Sequence, residues 1–350
     1  MSGTGGRVTI ATVAREAGRS ISTVSAALNG APGVSGATRA EILRVAAELG
    51  YEADPRARLL RAAHTGIVGV SCIAGQAFQV QLVDGLYRAA REHGHGLSLT
   101  AATEHHGEVE GVRGLVRDRC EGIVVVDSRI PYEDLASASA GLPLVVMCRP
   151  SPAPGVEAVR SDDRAGMTAL VEHVLGTGRR DLVHLDGAGA SCTQLRSEAF
   201  RAAMEARGLP GRVVPGGQDE EAGVRAVSVL AGRGSMPQAL LCYNDHAALG
   251  ALLELRRRGL RVPQDVAVAG YDDIPVAGVS AVDLTTVRQD VEVLTDTALQ
   301  RLAERLPCAT GRRSRAGGDR PAREDGAPLG AVGAVEHTVA PHLVVRGSTA

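Results

Sequence analysis

The chain has 350 residues, 44% of them hydrophobic but only 2% aromatic, with no Trp. That length exceeds one ordinary core and implies two or three domains, whose interiors must be built from Val, Leu, Ile and Ala. The net charge of −2 excludes a polycation, and with no apolar run near the ~18 residues of a membrane span and no signal-peptide core, the expected location is the cytoplasm.

Residues 8–28 read VTIATVAREAGRSISTVSAAL. Ile10, Val13, Ala14 and Ala17 recur at helical spacing behind Thr9, a residue suited to cap a first turn. Gly18 ends that helix, and Ser20 is placed to cap a second, with Thr23, Val24, Ala27 and Leu28 inward and Ile21, Ser22, Ser25 and Ala26 outward. Two short helices about a Gly turn match either a helix-turn-helix, whose second helix reads base edges, or a small αα-hairpin. Asn29-Gly30 marks a turn, and a third helix runs from Ser35 to about Leu49 and stops at Gly50. Up to His64 there are eight Arg against five acidic residues, an excess of positive charge able to replace phosphate counterions. Every one of the 38 basic residues in the chain is Arg. Residues 51–65, with Arg56, Arg58 and Arg61 beside Leu59 and Leu60, are either a basic linker or a short helix that forms against DNA and a partner chain.

From Gly66 the texture changes to alternating strand and helix. Strands are expected at Ile67–Ile73, Gly96–Thr100, Ile123–Val126, Leu144–Met147, Asp181–Leu185, Ala239–Cys242 and Val266–Ala269. Between them lie helices such as Gln79–His93, Asp163–Thr177, Thr193–Arg207, Asp245–Arg258 and Asp290–Leu306. This rhythm implies an α/β fold in which a parallel sheet covered on both faces occurs twice, with ligands beyond the carboxyl ends of the strands. Residues 309–334 are Gly, Ala, Pro and charge without periodicity, the pattern of a flexible loop, and Thr338–Val345 reads as a closing strand. The six Cys (72, 120, 148, 192, 242, 308) are scattered, so buried reduced thiols are expected in place of a disulfide framework or a metal site.

In this order, the segments VTIATVAREAGRSISTVSAALNG, VSGATRAEILRVAAELGY, LPLVVMCRP, DDRAGMTALVEHVLGTGRRDLVHLDG, NDHAALGALLELRRRGLRVPQDVAVAGYDD, LTTVRQD and LVVRGSTA resemble the lac-repressor family of bacterial transcription regulators. The resemblance covers nearly the whole chain. It implies a small all-α helix-turn-helix headpiece (1–50), a hinge helix (51–65) and a two-lobed periplasmic-binding-protein-like core (66–350). The first lobe would hold about 66–160 and 290–308, the second about 161–289 and 335–350. It further implies a homodimer on a palindromic double-stranded DNA operator, acting as a repressor whose affinity responds to a small molecule, often a sugar, with no cofactor and no membrane partner.

The same resemblance assigns residues. Ile21, Ser22 and Ala26 would read the major groove; the family usually has Arg where this chain has Ala26, so a guanine contact is replaced by a methyl. Arg19 sits at the entrance of that helix, while Thr9, Ser20, Thr23 and Asn29 suit phosphate contact or helix capping equally; Ser25 and Arg56 complete the DNA-binding set. Leu60 matches the wedge that hinge helices insert into the minor groove, with Leu59 as competitor. The usual Pro-Asn before the hinge is Ala53-Asp54 here. In the cleft the matched residues are Arg196, Asn244, Asp272 and Gln289, with Arg149 and Asp162 as further candidates and Asp273 as a turn residue. Fixed carboxylate, amide and guanidinium groups suit a ring of hydroxyls. Taken alone Arg196 reads first as a surface residue, and beside Asp272 and the order of the lobes the pocket role is the better reading. The family's Ser-Asn-Pro-Phe-Phe is replaced by AGQAFQ, which puts Gln76, Phe78 and Gln79 on the first-lobe wall, Phe78 being either a stacking platform or part of the lobe core. An exported solute-binding protein and an enzyme are the rival classes. The N-terminal 65 residues argue against the first, and no nucleophile elbow, P-loop or dinucleotide fingerprint supports the second. A regulator with a degenerate or non-sugar cleft stays open.

Overall fold

The computed structural model describes residues 8–28, 30–51, 64–151, 153, 156–306 and 335–350. The chain divides into two compact units at Thr65/Gly66. The expected hinge residues Arg56, Leu59 and Leu60, together with Asn29 and the loop 309–334, lie outside the described residues.

The first unit has three helices, α1 (Ile10–Glu16), α2 (Ile21–Leu28) and α3 (Gly36–Glu48). Thr9 and Thr12 form a reciprocal capping box at the start of α1, and Ser35 accepts the Thr38 N–H at the start of α3. α1 and α3 end alike. Gly18 (φ +60°) and Gly50 (φ +63°) take the left-handed conformation. The N–H of each glycine and of the following residue then bonds back, Gly18 to Arg15 and Arg19 to Ala14, Gly50 to Ala47 and Tyr51 to Ala46, so the last carbonyls are satisfied. Val13, Val24, Ala27, Ile42, Val45 and Ala46 bury the facing sides in one small core.

The second unit contains two parallel sheets. The six-stranded sheet is built from β1 (Ile67–Ile73), β2 (Gly96–Ala102), β3 (Gly122–Val126), β4 (Leu144–Met147), β5 (Glu157–Ser161) and β11 (Val335–Val339), in the spatial order β11-β5-β4-β3-β1-β2. The four-stranded sheet has the order β7-β6-β8-β9, from β6 (Leu182–Leu185), β7 (Arg212–Val214), β8 (Ala239–Cys242) and β9 (Ala267–Ala269). In each sheet the order reverses beside the first strand, between β1 and β3 and between β6 and β8, which is where doubly wound folds open a crevice. Helices α4 (Ala77–Glu92), α5 (Glu108–Arg117), α6 (Tyr132–Ala138) and α11 (Val291–Ala303) belong to the first lobe. Helices α7 (Asp163–Gly176), α8 (Thr193–Glu205), α9 (Glu220–Gly232) and α10 (Asp245–Arg257) belong to the second. The strands at the centre of each sheet are buried on both faces, as apolar runs such as Ile123–Val126 require.

The structure corrects the expected closing strand. Thr338–Val345 does not form one strand in the second lobe. Residues Val335–Val339 pair in parallel with β5 and so complete the first-lobe sheet, whereas β12 (His342–Val344) pairs antiparallel with β10 (Thr286–Arg288). Pro341, without a backbone donor, separates the two. The chain therefore crosses between lobes three times, near residues 161, 289 and 340.

Candidate DNA-reading surface and effector cleft

On α2 the side chains sort by helical phase. Val24 and Ala27 are buried, Ile21 is 50% exposed, Ser22 is exposed, and Ser25 and Ala26 are half-buried. Ser20 caps the helix through the Thr23 N–H and exchanges side-chain hydrogen bonds with Ser22 and Thr23 at 2.8 Å. A run of hydroxyls thus stands at the N-terminal end of α2, where free backbone donors and the helix dipole favour a phosphate. Arg19 is engaged, 3.6 Å from Glu41 of α3. Thr9 is occupied as a cap. Thr23, expected among the inward residues, is half-buried.

In the second unit a cavity of about 40 Å³ lies between the lobes, at the carboxyl ends of both sheets. Its walls include Asp127 after β3, Arg196 on α8, Asn244 after β8 and Asp272 after β9, together with Gln289 at the crossover. Arg196 is 4% exposed and its guanidinium is sandwiched between the rings of Tyr243 and Tyr271, 4.6 and 3.6 Å from their centroids. Its Nε donates to Asp163 Oδ1 at 2.8 Å and its Nη1 to the Tyr243 carbonyl at 2.6 Å. Gln289 donates to Asp272 Oδ1 and accepts from the Ser161 hydroxyl, both at 2.6 Å. Asn244 caps α10 through Oδ1, while its Nδ2 donates to Gln76 Oε1 and the Gln218 carbonyl. Burial pushes the Asp272 carboxyl up to about 6, against the pull of Arg196 and Gln289. Burial likewise raises Asp127 above the usual carboxylate range, although Ser191 and Gln79 bond to it. The Cys148 and Cys192 thiols are pushed well up by the same cause.

Several expectations change. Asp162 caps α7 by accepting the Ala165 N–H and does not line the cavity; its neighbour Asp163, 1% exposed, faces it instead. Arg149 is also absent from the cavity wall, because Cys148 (φ +59°) turns the chain and Arg149 donates to the Ser128 and Ile130 carbonyls. Asp273, expected as a turn residue, lies in an irregular segment with a left-handed φ of +54° and binds Arg288 and Arg346 at 2.7 Å each. Phe78 is 7% exposed, a member of the first-lobe core that also lines the cavity. Arg196 is not a surface residue. Sequence reasoning missed Asp127, Asp163, Arg160, Ser161 and Tyr243, each of which stands at or within a residue or two of a strand's carboxyl end, the one signal available for them. Among the described residues no group of three His, Cys, Asp or Glu could hold a metal ion, and no helix is long and apolar enough to cross a membrane.

Comparison with known proteins bears on both regions. Residues 9–54 match the family described as bacterial regulatory proteins, lacI family, and residues 171–323 match the periplasmic binding protein-like domain. The HTH-type transcriptional regulator GalR of Escherichia coli (strain K12) is 30% identical over 303 residues, covering 83% of this chain and 87% of that protein. The transcriptional regulator CelR–cellobiose complex superposes with a TM-score of 0.66 at 27% identity, covering 98% of this chain and 100% of the other. The lac repressor dimer bound to operator and the anti-inducer ONPF superposes with a TM-score of 0.80 at 24% identity, covering 98% and 99%, and shares the fold. A helix-turn-helix headpiece and a two-lobed α/β core, in a sequence 30% identical to GalR over most of both chains, place the chain in the lacI family of bacterial DNA-binding transcriptional regulators.

Proposed function

We propose that this regulator binds a palindromic operator as a homodimer, acts as a repressor, and changes its operator affinity when a small polyhydroxyl molecule, a sugar, enters the cleft. One observation carries the effector role: Arg196, Asn244, Asp272 and Gln289, from four separate segments, converge on one cavity with their side chains already oriented by Asp163, Tyr243 and Ser161. Pre-oriented donors and acceptors at the ends of parallel strands are what a ring of hydroxyls needs. CelR, bound to cellobiose in its structure, shares the fold over 98% of this chain.

The dimer has separate support. Val80 and Tyr87 on α4 and Leu253 on α10 are exposed at 67%, 47% and 52%, large apolar side chains on outward helix faces. The lac repressor of the same fold is a dimer on its operator. On α2, Ile21, Ser22, Ser25 and Ala26 form the outward face that would enter the major groove. Such a protein works beside the chromosome, in the cytoplasm.

Ligand and DNA are coupled through the angle between the lobes. The cavity has room for only a few water molecules while the lobes are in contact. Entry of a sugar therefore requires them to part, and the ligand shifts the equilibrium only by its different affinity for the two angles. The test is to select operator sequences from random DNA with the full-length protein and then titrate that complex with a panel of sugars. The expected result is a palindromic site and a change in affinity with at least one sugar. A non-palindromic site overturns the dimeric reading, and silence from every sugar turns the cleft into a non-sugar or degenerate one.

A further inference from the structure

The cleft has an imbalance between what it accepts and what it donates. Three carboxylates line it (Asp127, Asp163, Asp272) against two guanidinium groups (Arg160, Arg196). Both arginines are engaged by the protein itself. Arg160 donates from Nε and Nη2 to Glu336 at 3.1 and 2.8 Å and from Nη1 to the Ser161 carbonyl. Arg196 is held by Asp163 and the Tyr243 carbonyl, with its Nη2 3.8 Å from Asp272. Asp127 bonds to Gln79 and Ser191, neither of which carries charge.

A second observation is independent of the carboxylate count. Two buried side-chain atoms on the cavity wall lack a hydrogen bond, Gln79 Oε1 and Asp163 Oδ2, and both are acceptors. Gln79 is 5% exposed and Asp163 1%, so water at the surface does not satisfy them. Arg160 Nη1, at 3.7 Å, is the cation nearest Asp163 Oδ2 in an ion pair. Buried polar atoms without partners are costly and mark places where a further group belongs. Here that group must bring donors and positive charge.

We propose that the molecule received by this cleft is a polyol bearing a cationic amine, of the amino-sugar class, whose ammonium group lies among Asp127, Asp163 and Asp272 and donates to the unsatisfied Asp163 Oδ2 and Gln79 Oε1. An ammonium supplies three donors and no acceptor. It therefore meets the surplus acceptors and neutralises the surplus charge together. A sugar acid or sugar phosphate would bring further negative charge against carboxylates and is rejected by the same arrangement. This rests on the effector role of the cleft and names its ligand class.

The test compares near-isosteric triads on the full-length protein by titration calorimetry and thermal shift at neutral pH. One triad is serinol, glycerol and glycerate; two others are glucosamine, glucose and glucuronate, and the galactose counterparts. The small triad reads the ammonium preference irrespective of sugar stereochemistry. The amine is expected to bind more tightly than the hydroxyl member by on the order of ten-fold or more, with the acid weakest. Asp127→Asn should remove that preference, and the wild-type comparison stands by itself if the variant does not fold. Equal binding within the triads, preference for the neutral or acidic member, or no response to any of them overturns the proposal. Release or tightening of operator DNA by a neutral sugar would overturn it too, while leaving the effector role of the cleft in place.

Discussion

Arg196 holds the polar half of the cleft together. It is a buried cation with carboxylate, carbonyl and two aromatic faces around it. Burial opposes its charge, yet Asp163 and the neighbouring Tyr and Asp groups keep it firmly protonated. Arg196→Met would leave Asp163 buried without its principal partner, and such a loss costs about 3–5 kcal/mol. Urea unfolding should show that loss, and a second substitution, Asp163→Asn, should recover part of it; a cost below 1 kcal/mol would contradict the pairing. Asp272 gives a pH signature. Its folded carboxyl titrates at about 6, above the ~3.9 of an unfolded chain, so the folded state holds the proton more tightly. Stability contributed by this group therefore rises as pH falls from 6 towards 4, by on the order of 2–3 kcal/mol. The difference in unfolding free energy between wild type and Asp272→Asn, measured from pH 7 to 4, should move in favour of wild type. A difference that is flat across this range would refute the raised carboxyl. On the outward face of α2, proposed above to enter the major groove, Ala26→Arg places a bidentate donor. Operator selection with that variant should shift one position in each half-site towards guanine, by about 1–3 kcal/mol.

At the level of elements, the close approach of α9 to α10 depends on two glycines. A Cβ on Gly223 would strike the Ala247 carbonyl, and one on Gly250 would strike the Glu220 carbonyl. Both obstacles are backbone and cannot rotate away, so the helices must separate. Gly250→Ala should destabilise the second lobe by about 1–3 kcal/mol or more, lowering the melting temperature, whereas Gly232→Ala near the end of α9 meets open space and should not. Neither glycine announced this in the sequence. The strands that were legible, such as Leu144–Met147 and Ala239–Cys242, are continuous apolar runs buried on both faces. Among those that were not, Glu157–Ser161 interleaves charged with apolar residues, Arg160 pairing with Glu336 on β11, and Arg212–Val214 is only three residues long at a sheet edge. The cleft shows the same limit at finer grain. Asp162 and Asp163 are adjacent acids, and which one faces the cavity depends on a single step of helix phase that composition does not reveal. Asp127 became visible only once β3 was set beside β1 at the crossover of strand order.

For the whole molecule, the angle between lobes is set by a small number of contacts that cross the cleft. Gln76 donates to the Gln218 carbonyl at 3.2 Å and accepts from Asn244 at 3.1 Å. Arg129 donates to Gln218 Oε1 at 3.1 Å, and the Ser191 hydroxyl reaches Asp127 and the Cys148 carbonyl. Among the described residues, Ile274 and Val276 of the second lobe pack into the first-lobe core across this junction, whereas the remaining buried clusters lie within one lobe or the other. A net hydrogen bond contributes about 0.5–1.5 kcal/mol, so the closed arrangement is held by a few kcal/mol and is within reach of a ligand's binding energy. Gln76→Ala removes two of these bonds and leaves both lobe cores intact. It should shift the balance towards the open form by on the order of ten-fold or more, seen as a larger radius of gyration in small-angle scattering. If lobe angle governs DNA binding, operator affinity must then move opposite to the change produced by a ligand that draws the lobes together. Should scattering show opening while operator affinity stays fixed, the two ends of the molecule are not coupled through this junction, and the effector signal must travel by another route.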